Sequence, residues 1–245
     1  MTAHSMTGPA IAAPDVAMIL CAGRGTRMGA LTDARPKPML PVAGRPLIDH
    51  ALARAGEGGA RRIVVNLHHL GAQIRAHLAG RADVSFSEEA ELLETGGGLV
   101  AARPLLGEAP FYALNADAIW TGSAPLAPLA AAWDPARMDA LLLMVAREDA
   151  RAHTRPGDFF VGGDMRPVRR GDRAAAPFIY SGAQIMAPRA LDGFRAEAFS
   201  ANAIWDRALA RGRLFAAIHH GGWVDVGTPA GLAEAEAALR AEGAT

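Results

Sequence analysis

Residues 16–41 read VAMILCAGRGTRMGALTDARPKPMLP, and this stretch decides how the rest of the chain is interpreted. Its first six residues, 16–21, are apolar and long enough for one buried strand. A loop with glycines at positions 23, 25 and 29 follows. Such a loop lets the backbone approach a ligand closely and presents several N–H groups to an anion. The stretch therefore predicts a strand followed by a phosphate-binding turn.

Lys37 strengthens that interpretation because it is the single lysine among 25 lysines and arginines. It stands between Pro36 and Pro38, directly after the glycine loop. An ammonium is a compact charge with rotatable donors, whereas a guanidinium is wide and planar. A lone lysine in a tight site therefore favours contact with phosphate oxygens.

Two other glycine loops do not fit this stretch. The dinucleotide fingerprint G-x-G-x-x-G needs a third glycine where Met28 stands, which disfavours an NAD-dependent oxidoreductase. A Walker loop needs a Gly-Lys pair, and the sequence contains none. For the loop taken alone, a glycine-rich turn without a ligand stays open as the alternative.

Composition bounds the class of protein. The chain has 245 residues, 51% of them hydrophobic, and a formal net charge of zero, which indicates no nucleic-acid or membrane partner. Its one cysteine, Cys21, excludes an intrachain disulfide, is expected to be buried, and favours a cytoplasmic protein. We expect residues 1–15 to form a flexible tail, with translation starting at Met1 or Met6, and residues 16–245 to form one domain.

Strands and helices are predicted to alternate after the glycine loop. Apolar runs typical of strands occur at 62–67, 84–87, 111–114 and 139–146, the last expected to be central. This order predicts an α/β fold with a doubly wound, mostly parallel, Rossmann-like sheet. Ligands in such sheets bind at the carboxyl ends of the strands, which brings together the loops that follow Cys21, Ser87 and Asn115.

The texture of the chain changes after residue 147. Short apolar runs at 159–161, 165–170 and 178–186 alternate with Gly and Asp turns. These runs predict a small β-hairpin lid over the site.

Two aspartates are candidate metal ligands. Asp117 follows a predicted strand beside the phosphate loop, where a carboxylate suits Mg²⁺, and a turn aspartate is the alternative. Asp225 lies between two valines, just before Thr228 and Pro229. A helix start explains Thr228 and Pro229 as cap and first-turn residue, but it leaves Asp225 unexplained.

Four motifs carry a resemblance to a known family: AGRGTRM at 22–28, RPKPMLPVAGRPLI at 35–48, LETGGG at 93–98 and WVDVGTP at 223–229. They resemble the signatures of sugar-1-phosphate nucleotidyltransferases (NDP-sugar pyrophosphorylases), and the match extends over nearly the whole chain from Val16. The resemblance implies a glycosyltransferase-A-type fold and a Mg²⁺-dependent reaction of a nucleoside triphosphate with a sugar-1-phosphate. The branch most similar to this chain uses UTP and N-acetylmuramate-1-phosphate in cell-wall recycling.

The same resemblance implies roles for residues at matching positions. Arg27 and Lys37 would be catalytic, Arg27 on the leaving pyrophosphate and Lys37 on the transferred phosphoryl group. Asp117 and Asp225 would bind Mg²⁺. The implied nucleotide-binding residues are Ala22, Gly23, Gly25, Thr26, Arg27, Glu89, Thr95 and Gly96. The implied substrate-binding residues are Asn115, Ser181 and Gly182.

The chain departs from the family pattern at two positions. Ala116 replaces a usual glycine, and Glu89 stands where many relatives carry a base-contacting glutamine. For the segment 94–98, a helix start capped by Thr95 is the alternative to a base-binding loop.

The substrate pair is the least determined part. The alternatives are a mannose-1-phosphate guanylyltransferase, a glucose-1-phosphate thymidylyl- or uridylyltransferase, and a catalytically inactive nucleotide-binding sensor. Muramate carries a lactyl carboxylate, for which the candidate cations are Arg155, Arg166, Arg169 and Arg170. Larger relatives carry an extension after the WVDVGTP motif that drives oligomerisation. We expect no room for such an extension in the short stretch after this motif, and we therefore expect a monomer.

Overall fold

The fold is described from a computed structural model for residues 13–243. Most of the expected tail at 1–15, and the choice between Met1 and Met6, lie outside the described residues. One domain over residues 16–245 stays a prediction.

The strands follow the predicted runs closely. In chain order they are β1 (Val16–Leu20), β2 (Pro41–Val42), β3 (Arg45–Pro46), β4 (Arg62–Leu67), β5 (Val84–Glu88), β6 (Phe111–Asn115), β7 (Ala118–Trp120), β8 (Ala140–Ala146), β9 (Ala150–Arg151), β10 (Phe159–Val161), β11 (Pro167–Arg169), β12 (Phe178–Met186), β13 (Leu214–His219) and β14 (Trp223–Asp225).

Helices lie between most of the longer strands. They are α1 (Leu47–Glu57), α2 (Gly71–His77), α3 (Glu94–Leu106), α4 (Ala127–Ala132), α5 (Asn202–Ala210) and α6 (Pro229–Gly243). Short 3₁₀ helices occupy Thr26–Thr32, Lys37–Met39 and Pro188–Leu191. The expected cap of α6 is confirmed, because the Thr228 hydroxyl accepts the Gly231 N–H at 3.2 Å.

The main sheet confirms the predicted doubly wound architecture. Its strand order is β5-β4-β1-β6-β12-β8-β13, with β10 and β11 attached beside the start of β12. β1 runs parallel to β4 and β6, β4 to β5, and β8 to β13. Between these two groups, β12 runs antiparallel to both β6 and β8. The expected central place of the 139–146 strand is therefore wrong, since only β13 lies beyond β8 and places it next to the edge of the sheet.

Both faces of this sheet are covered, and strand β1 shows how. Ala17 and Ile19 point into one buried cluster, and Val16 and Met18 point into another on the opposite face. This alternation follows from the two-residue period of a strand. Helix α1 packs on the first face, and α3 and α5 pack on the second, which explains why β1 is apolar at every position.

Two smaller pairings shape the mouth of the sheet. β10 and β11 form an antiparallel hairpin, as expected for the lid. β14 pairs antiparallel with β7, which sets Asp225 opposite Ala118. The backbone N–H of Val226 also donates to the Asp117 carbonyl at 3.0 Å. The two predicted metal ligands are thereby brought side by side from positions far apart in the chain.

Within residues 13–243, no helix combines the length and the apolar character needed to cross a membrane.

Candidate active site

The glycine loop after β1 folds tightly around Lys37. Gly25 has a φ of +66°, and a Cβ added there would lie 3.0 Å from the Lys37 Cβ. The single proton of the Thr32 hydroxyl is shared between the carbonyls of Gly25 and Gly29, at 3.2 and 3.1 Å, and so fixes the turn. A side chain at position 25 would separate the loop from the lysine, which gives this glycine a steric reason.

Lys37 is only 7% exposed, and its Nζ donates to Asp117 Oδ2 at 2.6 Å. A buried ammonium is costly unless it is paired, and the aspartate supplies that pairing. An ammonium has three N–H donors, and one of them is committed to Asp117. The pair lies between the carboxyl ends of β1 and β6, where the fold was expected to bind a ligand.

Asp225 is held in its charged form. Burial acts to raise its pKa, but the His153 ring and the charges of Arg27 and Lys37 outweigh burial and lower it. His153 Nδ1 lies 3.7 Å from Asp225 Oδ2, so the contact is electrostatic rather than a hydrogen bond. Asp117 and Asp225 thus bring two carboxylates to one point of the site, and both offer oxygen ligands of the kind that Mg²⁺ prefers.

Arg27 reaches this point from the glycine loop. A Cβ on Gly227 would lie 2.6 Å from a terminal nitrogen of the Arg27 guanidinium, so the arginine packs against the backbone that follows β14. The absence of a side chain at Gly227 is what permits this approach.

Two cavities meet at these residues. The first cavity has a volume of about 400 Å³ and the second about 240 Å³. Of the predicted site residues, the first is lined by Ala22, Gly23, Gly25, Thr26, Arg27, Lys37, Thr95, Asn115 and Asp117. The second is lined by Arg27, Asn115, Asp117, Gly182 and Asp225. Arg27, Asn115 and Asp117 line both cavities and so mark their junction.

Gly182 borders the second cavity at a break in β12. The pairing with β8 shifts register between Tyr180 and Gln184, and Gly182 has a φ of +87° inside this bulge. A Cβ there would lie 3.1 Å from the Asn115 side chain. Glycine therefore lets the bulge pass close to a residue at the junction.

Ser181 and Gly96 are not part of the described lining of either cavity. The Ser181 hydroxyl is buried and donates to the Leu143 carbonyl at 3.0 Å, while the Ser181 carbonyl accepts from Trp223 Nε1 at 2.8 Å. A Cβ on Gly96 would lie 2.4 Å from the Phe199 ring. Gly96 was expected to bind the nucleotide and Ser181 the sugar phosphate; the structure places both behind the described lining, where they pack and brace the site.

Glu89 also turns away from the cavities, into a buried chain of hydrogen bonds. Asn66 Oδ1 accepts the Cys21 N–H at 2.7 Å, and Asn66 Nδ2 donates to Glu89 Oε1 at 2.7 Å. Glu89 Oε2 accepts the Leu93 N–H at 3.0 Å. These bonds join the start of the glycine loop to the start of α3, so the expected contact of Glu89 with a base is replaced by a link between two loops.

The donors and acceptors of this link explain why position 89 is a glutamate. Since Asn66 Oδ1 accepts from the backbone, its Nδ2 must donate, and the Leu93 N–H is a second donor. Both oxygens of residue 89 must therefore accept. A glutamine has one acceptor oxygen and would leave one pair of donors facing each other.

Helix α3 begins at Glu94, with no side-chain cap. The alternative of a helix start at 94–98 is therefore confirmed, but its cap is wrong, because Thr95 lies inside the first turn and lines the first cavity. The N–H groups of Gly96 and Gly97 in this turn are already paired, since both donate to the Phe199 carbonyl, at 2.9 and 3.3 Å. The helix dipole still favours an anionic or polar ligand near this end.

Sequence reasoning missed several polar residues of the site, Asn66 and Tyr180 among them. Asn66 interrupts an otherwise apolar strand, a signal that was present at positions 62–67. Tyr180 lines the second cavity, and its buried hydroxyl has no partner within the described part of the chain. Burial and the Asp117 charge raise the pKa of this phenol, so it stays a donor.

Cys21 is buried as expected, with its pKa raised by burial and then by the Asp117 charge. A thiol held in its protonated form is a poor nucleophile, so Cys21 acts as a packing residue at the end of β1.

A doubly wound sheet with a phosphate loop, a buried lysine and paired carboxylates at the strand ends defines a nucleotidyltransferase. The family described as MobA-like NTP transferase domain matches residues 17–220. The chain therefore belongs to this family, in its sugar-1-phosphate nucleotidyltransferase branch.

Two curated relatives match along almost their whole length. The N-acetylmuramate alpha-1-phosphate uridylyltransferase of Caulobacter vibrioides is 38% identical, with 93% of this chain and 98% of the relative aligned. The protein of the same name from Neisseria meningitidis serogroup B is also 38% identical, over 90% of this chain and 96% of the relative.

Solved structures share the fold at lower identity. A UDP-glucose pyrophosphorylase complexed with UDP-glucose superposes with a TM-score of 0.76 at 17% identity, covering 93% of this chain and 98% of that one. The inositol-1-phosphate CTP transferase from T. maritima gives 0.74 at 18% identity, covering 93% and 97%. These likenesses establish the fold.

Proposed function

We propose that this chain transfers a uridylyl group from UTP to N-acetylmuramate-1-phosphate, giving UDP-N-acetylmuramate and pyrophosphate. The observation that carries the proposal is the meeting of two cavities at the Lys37–Asp117 pair. One cavity suits a nucleotide and the other a sugar phosphate, and the reacting groups would meet at the junction. The names of the two full-length relatives support this substrate pair.

The first cavity suits the triphosphate. Its floor is the glycine loop, where Gly23 has open space at its Cβ position, so phosphate oxygens can approach the backbone N–H groups. Thr95, in the first turn of α3, faces the same space and would lie near the base. The buried link through Asn66 and Glu89 would hold these two walls at a fixed separation.

The reaction needs no general base. The attacking group is a phosphate oxygen of the sugar-1-phosphate, which is already an anion at neutral pH. It forms a bond to the α-phosphorus of UTP, the bond from that phosphorus to the bridging oxygen breaks, and pyrophosphate leaves with the electron pair. Catalysis then consists of alignment and neutralisation of charge.

Lys37 and Arg27 would supply that neutralisation. Lys37 keeps two N–H donors beyond the one given to Asp117, and these would bind oxygens of the transferred phosphoryl group. Arg27, at the junction, would bind the leaving pyrophosphate. Asp117 and Asp225 would hold Mg²⁺, which supplies further neutralisation of phosphate charge when it is bound.

The test is pyrophosphate release by the purified protein with Mg²⁺. Four nucleoside triphosphates would be combined with the 1-phosphates of N-acetylmuramate, N-acetylglucosamine, glucose and mannose. We expect strong release only with UTP and N-acetylmuramate-1-phosphate. Release with GTP and mannose-1-phosphate, or with glucose-1-phosphate, would keep the reaction and change the substrates. Nucleotide binding without release would indicate the inactive sensor.

Location and assembly belong to the same proposal. Nucleoside triphosphates are cytoplasmic metabolites, and the single thiol of Cys21 suits a reducing compartment, so we propose a cytoplasmic enzyme. A monomer remains our prediction, and sedimentation equilibrium of the full chain measures it directly.

A further inference from the structure

Four arginines were candidates to meet a carboxylate on the sugar, and the structure separates them. Arg166 donates to the Gly212 carbonyl at 2.6 Å, and its guanidinium lies over the Phe215 ring at 4.6 Å. Arg170 donates to the carbonyls of Gly157 and Arg173. Neither borders the second cavity, which is lined by the other two, Arg155 and Arg169.

Arg169 borders the second cavity, but its charge and donors are already used. Its Nε and Nη2 both donate to Asp206 Oδ1, at 3.0 and 2.7 Å, and its Nη1 donates to Asn202 Oδ1 at 2.7 Å. The guanidinium also lies over the Phe159 ring at 4.8 Å. Arg169 is therefore a structural brace between the hairpin and α5.

Arg155 borders the same cavity as Arg169 but has none of these bonding partners. Its side chain is exposed and borders the second cavity, and it makes no hydrogen bond or ion pair with any residue from 13 to 243. Its guanidinium keeps a planar fork of donors that matches a carboxylate. Arg27, the remaining cation of the cavity, lies at the junction and also borders the first cavity.

The carboxylates that line the second cavity indicate what Arg155 can do there. Asp117, Asp158 and Asp225 all line the second cavity. Asp117 is paired with Lys37, but Asp158 forms no ion pair with any residue from 13 to 243, so its charge repels a carboxylate on an incoming sugar. A sugar phosphate without a carboxylate does not meet that additional repulsion. An unpaired arginine at the same cavity can offset it.

We propose that Arg155 is a specificity-determining residue that binds the carboxylate of the sugar phosphate. It thereby selects a carboxylate-bearing sugar over the same sugar without that group. This inference rests on the proposed function, and it adds the residue that reads the lactyl carboxylate of N-acetylmuramate-1-phosphate.

The experiment compares Arg155→Gln, Arg155→Lys and the wild type. N-acetylglucosamine-1-phosphate serves as the second substrate, because it lacks only the lactyl group. For Arg155→Gln we expect KM for N-acetylmuramate-1-phosphate to rise roughly 10-fold or more, with KM for UTP unchanged. Arg155→Lys should recover part of the loss, since it keeps the charge but not the fork. Any activity with N-acetylglucosamine-1-phosphate should change less than about twofold, because that substrate makes no charge-assisted bond to residue 155.

Arg173→Gln is the matched control, because Arg173 is an exposed arginine of the same region that lies over Phe160 and outside the described lining of the second cavity. Unchanged KM for N-acetylmuramate-1-phosphate in Arg155→Gln would overturn the proposal. An equal loss with both sugars, or a rise in KM for UTP, would do so as well. Failure of the proposed function is seen separately, as a wild-type protein that releases no pyrophosphate from UTP and N-acetylmuramate-1-phosphate.

Discussion

The two cavities are built in different ways. The first takes more than half of its lining residues from positions 20–38, the stretch that holds the glycine loop and Lys37. The second gathers side chains from β7, the hairpin region, β12, α5 and β14, which lie far apart in sequence. A site built largely from one glycine-rich stretch has little freedom to change, whereas a site built from dispersed side chains can change one residue at a time. We therefore expect shared chemistry in the first cavity and selectivity in the second.

Lys37→Ala should have the largest effect, because it removes the cation at the point where the cavities meet. We expect the rate of pyrophosphate release to fall on the order of 100-fold or more. Lys37→Arg should not restore it, since a wide planar guanidinium cannot replace the compact ammonium that bonds Asp117 and still offers donors to a phosphate. Steady-state kinetics measure the rate, and circular dichroism checks the fold. Near wild-type turnover in either variant would remove Lys37 from the mechanism.

Asp225→Asn should come next, because it weakens the carboxylate pair without altering the size of the side chain. We expect activity at ordinary Mg²⁺ to fall roughly 10- to 100-fold and to recover partly as Mg²⁺ is raised. Asp172→Asn, at an exposed position outside both cavities, is the matched control. The same Mg²⁺ dependence in wild type and Asp225→Asn would refute metal binding at this residue.

Glu89→Gln tests whether the walls of the first cavity depend on the buried link. The substitution leaves a donor facing a donor, so we expect the free energy of unfolding to fall by about 1–3 kcal/mol. KM for UTP should rise by roughly tenfold because the two walls are no longer held together, and KM for the sugar phosphate should not change. Glu91→Gln, exposed in the same loop, is the control. A rise in both KM values would mean that the link supports both cavities.

Asp139→Asn should leave both cavities intact and change only stability. Burial acts to raise the pKa of Asp139, but bonds from Arg213 and Arg189 and their charges lower it. Because the pKa of this carboxyl is lower in the folded state, the charged carboxylate stabilises the fold at pH values above its ordinary pKa. This stabilisation is lost as the pH falls through the lowered, folded-state pKa. The free energy of unfolding of Asp139→Asn should therefore be about 2 kcal/mol lower than that of the wild type at pH 7.

The difference between wild type and Asp139→Asn should narrow below about pH 4, where the unfolded-state carboxyl takes up its proton. Urea unfolding at several pH values measures this trend. We expect kcat/KM at pH 7 to stay within about twofold of wild type, because Asp139 lines neither cavity. A twofold change corresponds to about 0.4 kcal/mol of transition-state free energy. A pH-independent difference would mean that shape rather than charge makes Asp139 stabilising.

Sequence predicted the first cavity better than the second, for a physical reason. Lys37 stands out by composition alone, and the glycine spacing that excludes other phosphate loops is local. Asp117 and Asp225 were found through motifs, and the fold brings them together through the pairing of β7 with β14.

The misplaced residues depend on contacts between distant segments. Glu89 is bonded to Asn66, 23 positions earlier, and Ser181 to Leu143, 38 positions earlier. Neither partner can be read from local spacing. In the same way, the four arginines looked equivalent until the hairpin packed against α5 and used the donors of Arg169.

The antiparallel strand β12 also has a consequence for folding during synthesis on the ribosome. Strands β1, β4, β5 and β6 are complete once residue 115 is synthesised, but one edge of β6 stays open until β12 ends at Met186. At about 5–20 residues per second, the ribosome leaves that edge unpaired for roughly 4–14 seconds. This edge belongs to a strand in which four residues, Phe111 to Leu114, are buried in the folded protein. The nascent chain therefore passes through an aggregation-prone intermediate, which a chaperone can shield.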